Sequence, residues 1–212
     1  MKVVSVNIGK KQLVNWKGKE EYTGIYKYPV DTSIYLGDED VDGDDVVDRK
    51  YHGGTYMACY IYSADHYSYW KELYPDLEWD YGMFGENITI EGLNEKDFNL
   101  GDVYQLGGAK VQISQPRKPC YKLGIRFGTQ AILKQYINAD YPGIYLHVIE
   151  NGEVKVGDEL KLIQKHPDKI GLLEAYHLQY DSTEDDIDRI NEILLSEVVT
   201  PDVRSGLLKR IG

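Results

Sequence analysis

Short runs of alternating apolar and polar residues, separated by Gly and Asp, fill the chain from its start to about Lys165. Such alternation places successive side chains on opposite faces of an extended chain, so it predicts half-buried β-strands. Gly107-Gly108, between two of the runs, is a typical hairpin turn, and the pattern predicts a meander in a β-barrel or sandwich. The predicted strands are Val3 to Ile8, Gly24 to Tyr28, Met57 to Tyr62, Asn87 to Glu91, Val103 to Leu106, Lys110 to Ser114, Ile144 to Ile149 and Glu159 to Ile163.

Two helices are predicted between these strands. Ser63 is suited to cap a helix that runs to about Leu73, because its hydroxyl can accept a hydrogen bond from a free N–H of the first turn. Thr129 can cap a second helix through Gln130 to Tyr136 in the same way. We expect both helices to pack against the strands.

After Pro167 the spacing becomes helical. Ile170 to His177 predicts one helix, and Ser182 with Thr183, followed by acidic residues, opens a second. Thr200-Pro201 opens a third, since proline at the first helical position loses no hydrogen bond. Three short helices cannot bury a large core alone, so we expect them to dock on the barrel or on a second subunit.

The predicted organisation is therefore mainly β with added helices. We expect residues 1–165 to form a β-barrel or sandwich domain and residues 166–212 to form a small three-helix C-terminal subdomain.

The composition excludes some classes of partner. The 212 residues carry a net charge of −11, which opposes a broad electrostatic surface for a nucleic-acid duplex or an anionic membrane. No apolar run is long enough to span a bilayer, and Met1 to Lys11 lacks a signal-peptide pattern, so we expect a cytoplasmic protein.

Only two cysteines occur, too few for a disulfide framework. Cys59 lies in an apolar run without nearby charge and is predicted to be an inert core thiol. Cys120 instead follows a strand and lies among cations, which can lower a thiol pKa from about 8.5 to between roughly 3.5 and 7.5. The restricting prolines and the cations around it are Pro116, Arg117, Lys118, Pro119 and Lys122. Cys120 is thus a candidate nucleophile or ligand for a soft metal.

The segment Asp38 to Arg49 imitates the start of a calcium-binding loop but has Arg49 where a bidentate Glu is needed, so an acidic, solvated turn is favoured. Lys50-Tyr51-His52-Gly53-Gly54 is either an anion site or a surface turn, because glycines allow close backbone approach. Phe84-Gly85-Glu86-Asn87 is either part of that site or only a strand entry. Neither a zinc-ligand spacing nor a nucleotide-binding glycine loop is present, so electrons for any redox reaction must come from another protein.

Three blocks in this order resemble the signature of the MOSC-domain family, and specifically its YiiM-like branch. They are Lys50 to Gly54, Phe84 to Asn87, and Gln115-Pro116-Arg117-Lys118-Pro119-Cys120. His66-Tyr67 to Trp70, Gly101-Asp102 and the continuation to Leu123 extend the likeness, and the three-helix tail is similar to the small domain that follows in that branch.

The resemblance implies a MOSC-type β-barrel that binds molybdenum cofactor, a pterin dithiolene that carries Mo. Cys120 matches the cysteine that ligates the metal in this family. The implied activity is the reduction of N-hydroxylated compounds, including hydroxylaminopurines and amidoximes, with electrons from a separate flavoprotein reductase.

The site residues expected from the resemblance and from side-chain chemistry have two roles. Cys120, His52 and Glu86 are the candidate catalytic residues, the latter two as proton donors to the leaving nitrogen. The candidate cofactor-binding residues, chosen mainly for positive charge toward a phosphorylated pterin, are Arg117, Lys118, Lys122, Asn87, His52 and Gly53.

Two alternatives remain open at this point. One is a non-catalytic carrier of molybdenum cofactor, and the other is a sulfur-transfer protein that forms a persulfide on Cys120. The helical tail and the 19 tyrosines favour a homodimer, because aromatic residues are enriched at protein interfaces.

Overall fold

The structure, a computed structural model, describes the backbone of residues 1–212 and every side chain except that of Lys50. It contains a large mixed sheet, two small two-stranded sheets and seven α-helices. The strands are β1 (Lys2–Gly9), β2 (Gln12–Trp16), β3 (Lys19–Thr23), β4 (Lys27–Pro29), β5 (Ile34–Leu36), β6 (Cys59–Ser63), β7 (Ile88–Glu91), β8 (Val103–Leu106), β9 (Ala109–Pro116), β10 (Ile144–Glu150), β11 (Gly152–Val154) and β12 (Leu160–Gln164). The helices are α1 (Arg49–His52), α2 (Tyr67–Leu73), α3 (Tyr121–Arg126), α4 (Ala131–Asn138), α5 (Leu172–Tyr180), α6 (Ile187–Ile193) and α7 (Pro201–Ile211).

The large sheet closes into a barrel. Its strand order is β12-β8-β9-β10-β6-β7-β1-β4, and the first strand returns to meet β1. The Leu160 N–H donates to the Met1 carbonyl at 3.0 Å, and the Val3 N–H donates to the Asp158 carbonyl at 2.8 Å. These bonds satisfy backbone groups that an open edge would leave exposed. The predicted barrel is therefore confirmed.

The predicted meander holds only for β8, β9 and β10, because most other neighbours in the large sheet are not consecutive in the chain. β6 and β7 are parallel neighbours, with Ile61 opposite Ile88, and a long connection that includes α2 joins them. Parallel neighbours need such a crossover, whereas a meander uses hairpins throughout. The Gly107-Gly108 hairpin between β8 and β9 is present as predicted.

The predicted strand Gly24 to Tyr28 is shortened to β4. A Cβ atom at Gly24 would lie 2.0 Å from the Asp45 carbonyl oxygen, so this glycine is where segment 44–48 presses directly on segment 23–27. Ile25 is buried in an aromatic cluster instead of facing a neighbouring strand. β2, β3, β5 and β11 were not predicted.

The helix caps predicted at Ser63 and Thr200 are present in the structure. The Ser63 hydroxyl accepts from the Asp65 N–H at 3.3 Å and begins a short 3₁₀ turn that leads into α2. The Thr200 hydroxyl accepts from the Val203 N–H at 3.4 Å, with Pro201 as the first residue of α7. The first tail helix starts two residues later than predicted, at Leu172.

The tail helices share the barrel's core. One continuous cluster of buried apolar side chains contains Ile61 and Leu106 from the barrel together with Leu172 and Leu207 from the tail. The backbone joins them as well, because the Leu172 N–H donates to the Phe98 carbonyl at 2.9 Å. Within the described residues, every helix is too short or too polar to cross a lipid bilayer.

A second cluster is rich in aromatic rings and lies on the other side of β6. Its members include Tyr62, Trp70, Phe84, Leu123 and Tyr136, all of which are fully buried. Trp70 donates to the Tyr62 hydroxyl at 2.7 Å, so the polar atoms of these rings are also satisfied. This cluster forms the rigid backing of the cleft described below.

Because the tail and barrel share one core, Leu172→Ala should destabilise the whole chain. Leu172 is fully buried, and such a truncation costs about 2 to 5 kcal/mol. Leu208→Ala, at a side chain that is 50% exposed, is the matched control and should change stability by less than about 0.5 kcal/mol. Urea unfolding followed by circular dichroism measures both. Loss of the tail in a separate, earlier transition would contradict a shared core.

Candidate active site

One open cleft gathers most of the predicted site residues. One wall comes from segment 117–122, between β9 and α3, and the facing wall comes from segments 23–27 and 44–48. His52, Asn87, Arg117, Cys120 and Lys122 all line it.

The Cys120 thiol is the most reactive group in the cleft. Burial disfavours its ionised form, but a hydrogen bond from His52, the charges of His52 and Arg117, and the Lys122 backbone N–H outweigh burial and lower the pKa of Cys120 to about 7. Cys120 is partly exposed, whereas Cys59 is 1% exposed and burial raises the pKa of its thiol. The two thiols thus lie in different environments, and Cys120 is the one whose thiolate is favoured.

Arg117 is a buried cation held in a cage of aromatic rings. Its guanidinium carbon lies 4.8 Å from the Tyr60 ring centroid and 5.8 Å from that of Tyr136, and it donates to the Phe84 carbonyl at 2.5 Å. Burial raises the pKa of Tyr60, Tyr136 and Tyr145, so these phenols stay neutral. Cation–π contacts therefore stabilise a charge that has no carboxylate partner among the described side chains.

His52 lies at the end of α1 and meets Cys120 across the cleft. The chain turns sharply after it, since Gly54 has φ of +90°, a conformation that favours glycine. Gly53 does not line the cleft but packs beside Arg49, where a Cβ atom would lie 3.4 Å from the Arg49 Cα. The two glycines make the turn, and the expected role of Gly53 in cofactor binding has no contact to support it.

The two lysines of the Cys120 segment point in different directions. Lys122 is 7% exposed and lines the cleft. Lys118 does not line it: its ammonium pairs with the Asp202 carboxylate at 2.9 Å and joins β9 to α7. We therefore correct the cofactor-binding role expected for Lys118 to a contact between the barrel and the tail.

Glu86 is fully buried behind the cleft and does not line it. Its carboxylate accepts hydrogen bonds from the Gly82 N–H at 2.8 Å, the Phe84 N–H at 3.1 Å and the Thr89 hydroxyl at 3.0 Å, as well as from the Tyr67 hydroxyl. Four donors therefore converge on this one carboxylate and hold loop 82–87 in shape. The proton-donor role expected for Glu86 stays a prediction, and no contact of Glu86 with the cleft supports it.

Sequence reasoning missed an ion pair in the facing wall. The Lys27 ammonium contacts the Asp44 carboxylate, and their side chains are only 9% and 3% exposed. Asn87 donates to Asp44 at 3.1 Å and accepts from the Tyr60 N–H at 3.2 Å, so it links this pair to the strand beneath Cys120. Asp44 belongs to the segment predicted as a solvated turn. That prediction is wrong here, because the close approach at Gly24 buries the Asp44 side chain.

The cleft is not uniformly cationic. Asp45 and Asp48 line it beside Asp44, facing the wall that carries Arg117 and Lys122. The hairpin of β2 and β3 contacts Tyr121, which follows Cys120 in the chain. The Tyr121 hydroxyl donates to Glu21 at 2.7 Å, and the Tyr121 ring lies 5.8 Å from that of Trp16. Charge is thus divided between the two walls.

Comparisons with known proteins identify the family. The model of the MOSC domain matches residues 48–161, which is more than half of the chain. The chain belongs to the MOSC-domain family, and the matched residues contain the cleft wall with Cys120.

Individual relatives agree with this. YflK of Bacillus subtilis, described as an uncharacterized protein, is 34% identical over 98% of this chain and 93% of its own length. A protein of Gibberella moniliformis named "Reductase" is 33% identical over 70% of this chain, which corresponds to 27% of that longer protein. The crystal structure of YiiM from Geobacillus stearothermophilus superposes with a TM-score of 0.82 at 29% identity, covering 100% of this chain and 99% of that one. The likeness to the YiiM branch is thus confirmed over the whole fold, including the tail.

The pKa of Cys120 gives a direct test of the site. Alkylation by iodoacetamide should follow a titration with a midpoint near pH 7, because only the thiolate reacts. In His52→Ala the hydrogen bond and charge that favour the thiolate are lost, so the midpoint should rise toward that of an ordinary thiol. Cys59→Ala serves as the matched control and should leave the profile unchanged. Equal midpoints in the parent and in His52→Ala would contradict this arrangement.

The structural role of Glu86 predicts a different outcome. Glu86→Gln replaces one carboxylate oxygen, which accepts hydrogen bonds, with an amide NH₂ that points at an existing donor. The free energy of unfolding should therefore fall by about 1 to 3 kcal/mol. The Cys120 alkylation midpoint should stay where it is, because Glu86 does not contact the thiol. Denaturant unfolding and alkylation on the same variant separate the two effects. A shifted midpoint at unchanged stability would instead place Glu86 in the site.

Proposed function

We propose that this protein is a molybdenum-cofactor-dependent reductase of N-hydroxylated compounds, with Cys120 as the protein ligand to the metal. The observation that carries the proposal is a thiol with a pKa of about 7 in the wall of an open cleft, beside the side chains of His52, Arg117 and Lys122. A thiolate is the protein donor that suits a soft metal–sulfur centre. MOSC domains take their name from the C-terminal domain of molybdenum-cofactor sulfurases, and one relative is named a reductase.

The residues of the cleft fit the expected cofactor. The ion pairs of the described residues include Lys27 and Lys118 but neither Arg117 nor Lys122, so the wall beside Cys120 offers two uncompensated cations to a phosphorylated pterin. Arg117 is fixed by its aromatic cage before any ligand arrives. A site that is already ordered loses less entropy when it binds.

When bound, the cofactor supplies a two-electron centre that can take the oxygen atom of an N–OH group. The overall reaction consumes two electrons and two protons and releases the amine or amidine and one water. His52 is the protein group placed to hold a proton beside the reacting centre, since it already donates to the Cys120 sulfur. We propose that the electrons come from a separate flavoprotein.

Replacement of the ligand should separate this function from simple folding. Cys120→Ala should lose molybdenum and reduce neither an N-hydroxylated purine nor an amidoxime, while its unfolding transition stays close to that of the parent because the thiol is at the cleft surface. Cys59→Ala is the control that should keep the metal and cost perhaps ~1 kcal/mol of stability. Elemental analysis and turnover with reduced viologen, on protein from a host that makes the cofactor, provide the measurements.

The same measurements distinguish the alternatives. A parent protein that binds molybdenum but turns over neither substrate would be a carrier. A parent without molybdenum that accepts a persulfide on Cys120 would be a sulfur-transfer protein. Turnover by Cys120→Ala at the parent rate would remove Cys120 from the mechanism.

A further inference from the structure

The ion pair of Lys27 and Asp44 occupies an unusual position. Both side chains are largely buried, yet both line the cleft. A buried ion pair gives up more hydration than it regains unless its geometry is good, so as a device for stability it is often no better than apolar residues. Its location in a cleft wall therefore calls for a functional reason.

Asp44 and Lys27 differ in how many hydrogen bonds they make. Asp44 is occupied, because it accepts from the Gly9 N–H at 2.8 Å and from Asn87 at 3.1 Å in addition to Lys27. An ammonium has three N–H donors. Among the described residues, Asp44 is the one acceptor within hydrogen-bond distance of Lys27, which leaves donors for a molecule in the cleft.

The charge of the pair decides which kind of molecule this is. Asp44 neutralises Lys27, and Asp45 and Asp48 line the cleft nearby, so this wall does not attract an anion. Arg117 and Lys122, without carboxylate partners, form the side that suits a phosphorylated cofactor. A fixed donor in a wall of low net charge suits a neutral hydrogen-bond acceptor.

We infer that Lys27 is a substrate-binding residue, which donates a hydrogen bond to a neutral acceptor of the N-hydroxylated substrate, either its hydroxyl oxygen or a ring nitrogen. Asp44 and Asn87 are positioning residues that fix the ammonium. This inference rests on the proposed function and adds to it a specificity, because uncharged N-hydroxylated bases are favoured over anionic ones.

The test uses the holoenzyme and a double variant, Lys27→Met with Asp44→Asn, which removes the donor without leaving a buried charge unpaired. Binding of an N-hydroxylated purine is measured by calorimetry without an electron donor, so that no turnover occurs. Loss of a hydrogen bond to a charged donor should raise Kd roughly 10- to 100-fold. Molybdenum content should stay at the parent level. Lys110→Met, which breaks an exposed pair with Glu150 outside the cleft, is the control and should change neither.

Two results would overturn the inference. One is an unchanged Kd in a folded double variant, and the other is loss of molybdenum, which would place Lys27 on the cofactor side. If the double variant does not fold, Lys27→Arg is used, because it keeps the charge and the ion pair but moves the donor. An unchanged Kd in Lys27→Arg would also contradict the inference. A parent that lacks molybdenum or turnover would instead refute the proposed function, so the two failures are distinguishable.

Discussion

The chemistry of this protein depends on a balance at a single sulfur atom. Burial alone would keep Cys120 protonated, as it does for Cys59 in the core. At Cys120 a histidine hydrogen bond, a backbone N–H and a buried guanidinium together outweigh burial. Because His52 and the rings that hold Arg117 come from other parts of the chain, the barrel must fold correctly before the thiolate is favoured.

The aromatic cluster holds Arg117 in the position that this balance requires. Arg117 is fixed between Tyr60 and Tyr136, and its donor bond ends on the Phe84 carbonyl. Phe84 belongs to the loop that Glu86 holds from behind. The buried Glu86 carboxylate thus supports the loop whose Phe84 carbonyl accepts from Arg117, and it does so without lining the cleft itself.

Part of this could be predicted from the sequence. Alternation located the long strands, and the Ser63 and Thr200 caps located helix starts, because both signals are local. The hairpin of β2 and β3 was missed although Lys17-Gly18 forms a two-residue turn with positive φ at both positions, a pattern typical of hairpins. β3 has charged residues at three of its five positions, which conceals the alternation. α3 was missed because Tyr121 to Arg126 is too short to show helical spacing.

Most of the residues that line the cleft could be predicted from the sequence, but the directions of the other side chains could not. His52, Asn87, Arg117, Cys120 and Lys122 do meet in one cleft. The direction of a side chain, however, depends on contacts far away in sequence. Lys118 turns to Asp202 on the tail helix, and Glu86 turns inward to loop amides. No local pattern encodes either direction.

The Lys27–Asp44 pair of the facing wall also could not be predicted from local sequence patterns. Lys27 and Asp44 are 17 residues apart, and they meet because Gly24 lets the Asp45 carbonyl approach where any side chain would clash. A residue without a side chain therefore decides that a charged pair is buried instead of solvated. The division of charge between the two walls follows from this contact: Arg117 and Lys122 line one wall, and the paired Lys27 and Asp44 line the other.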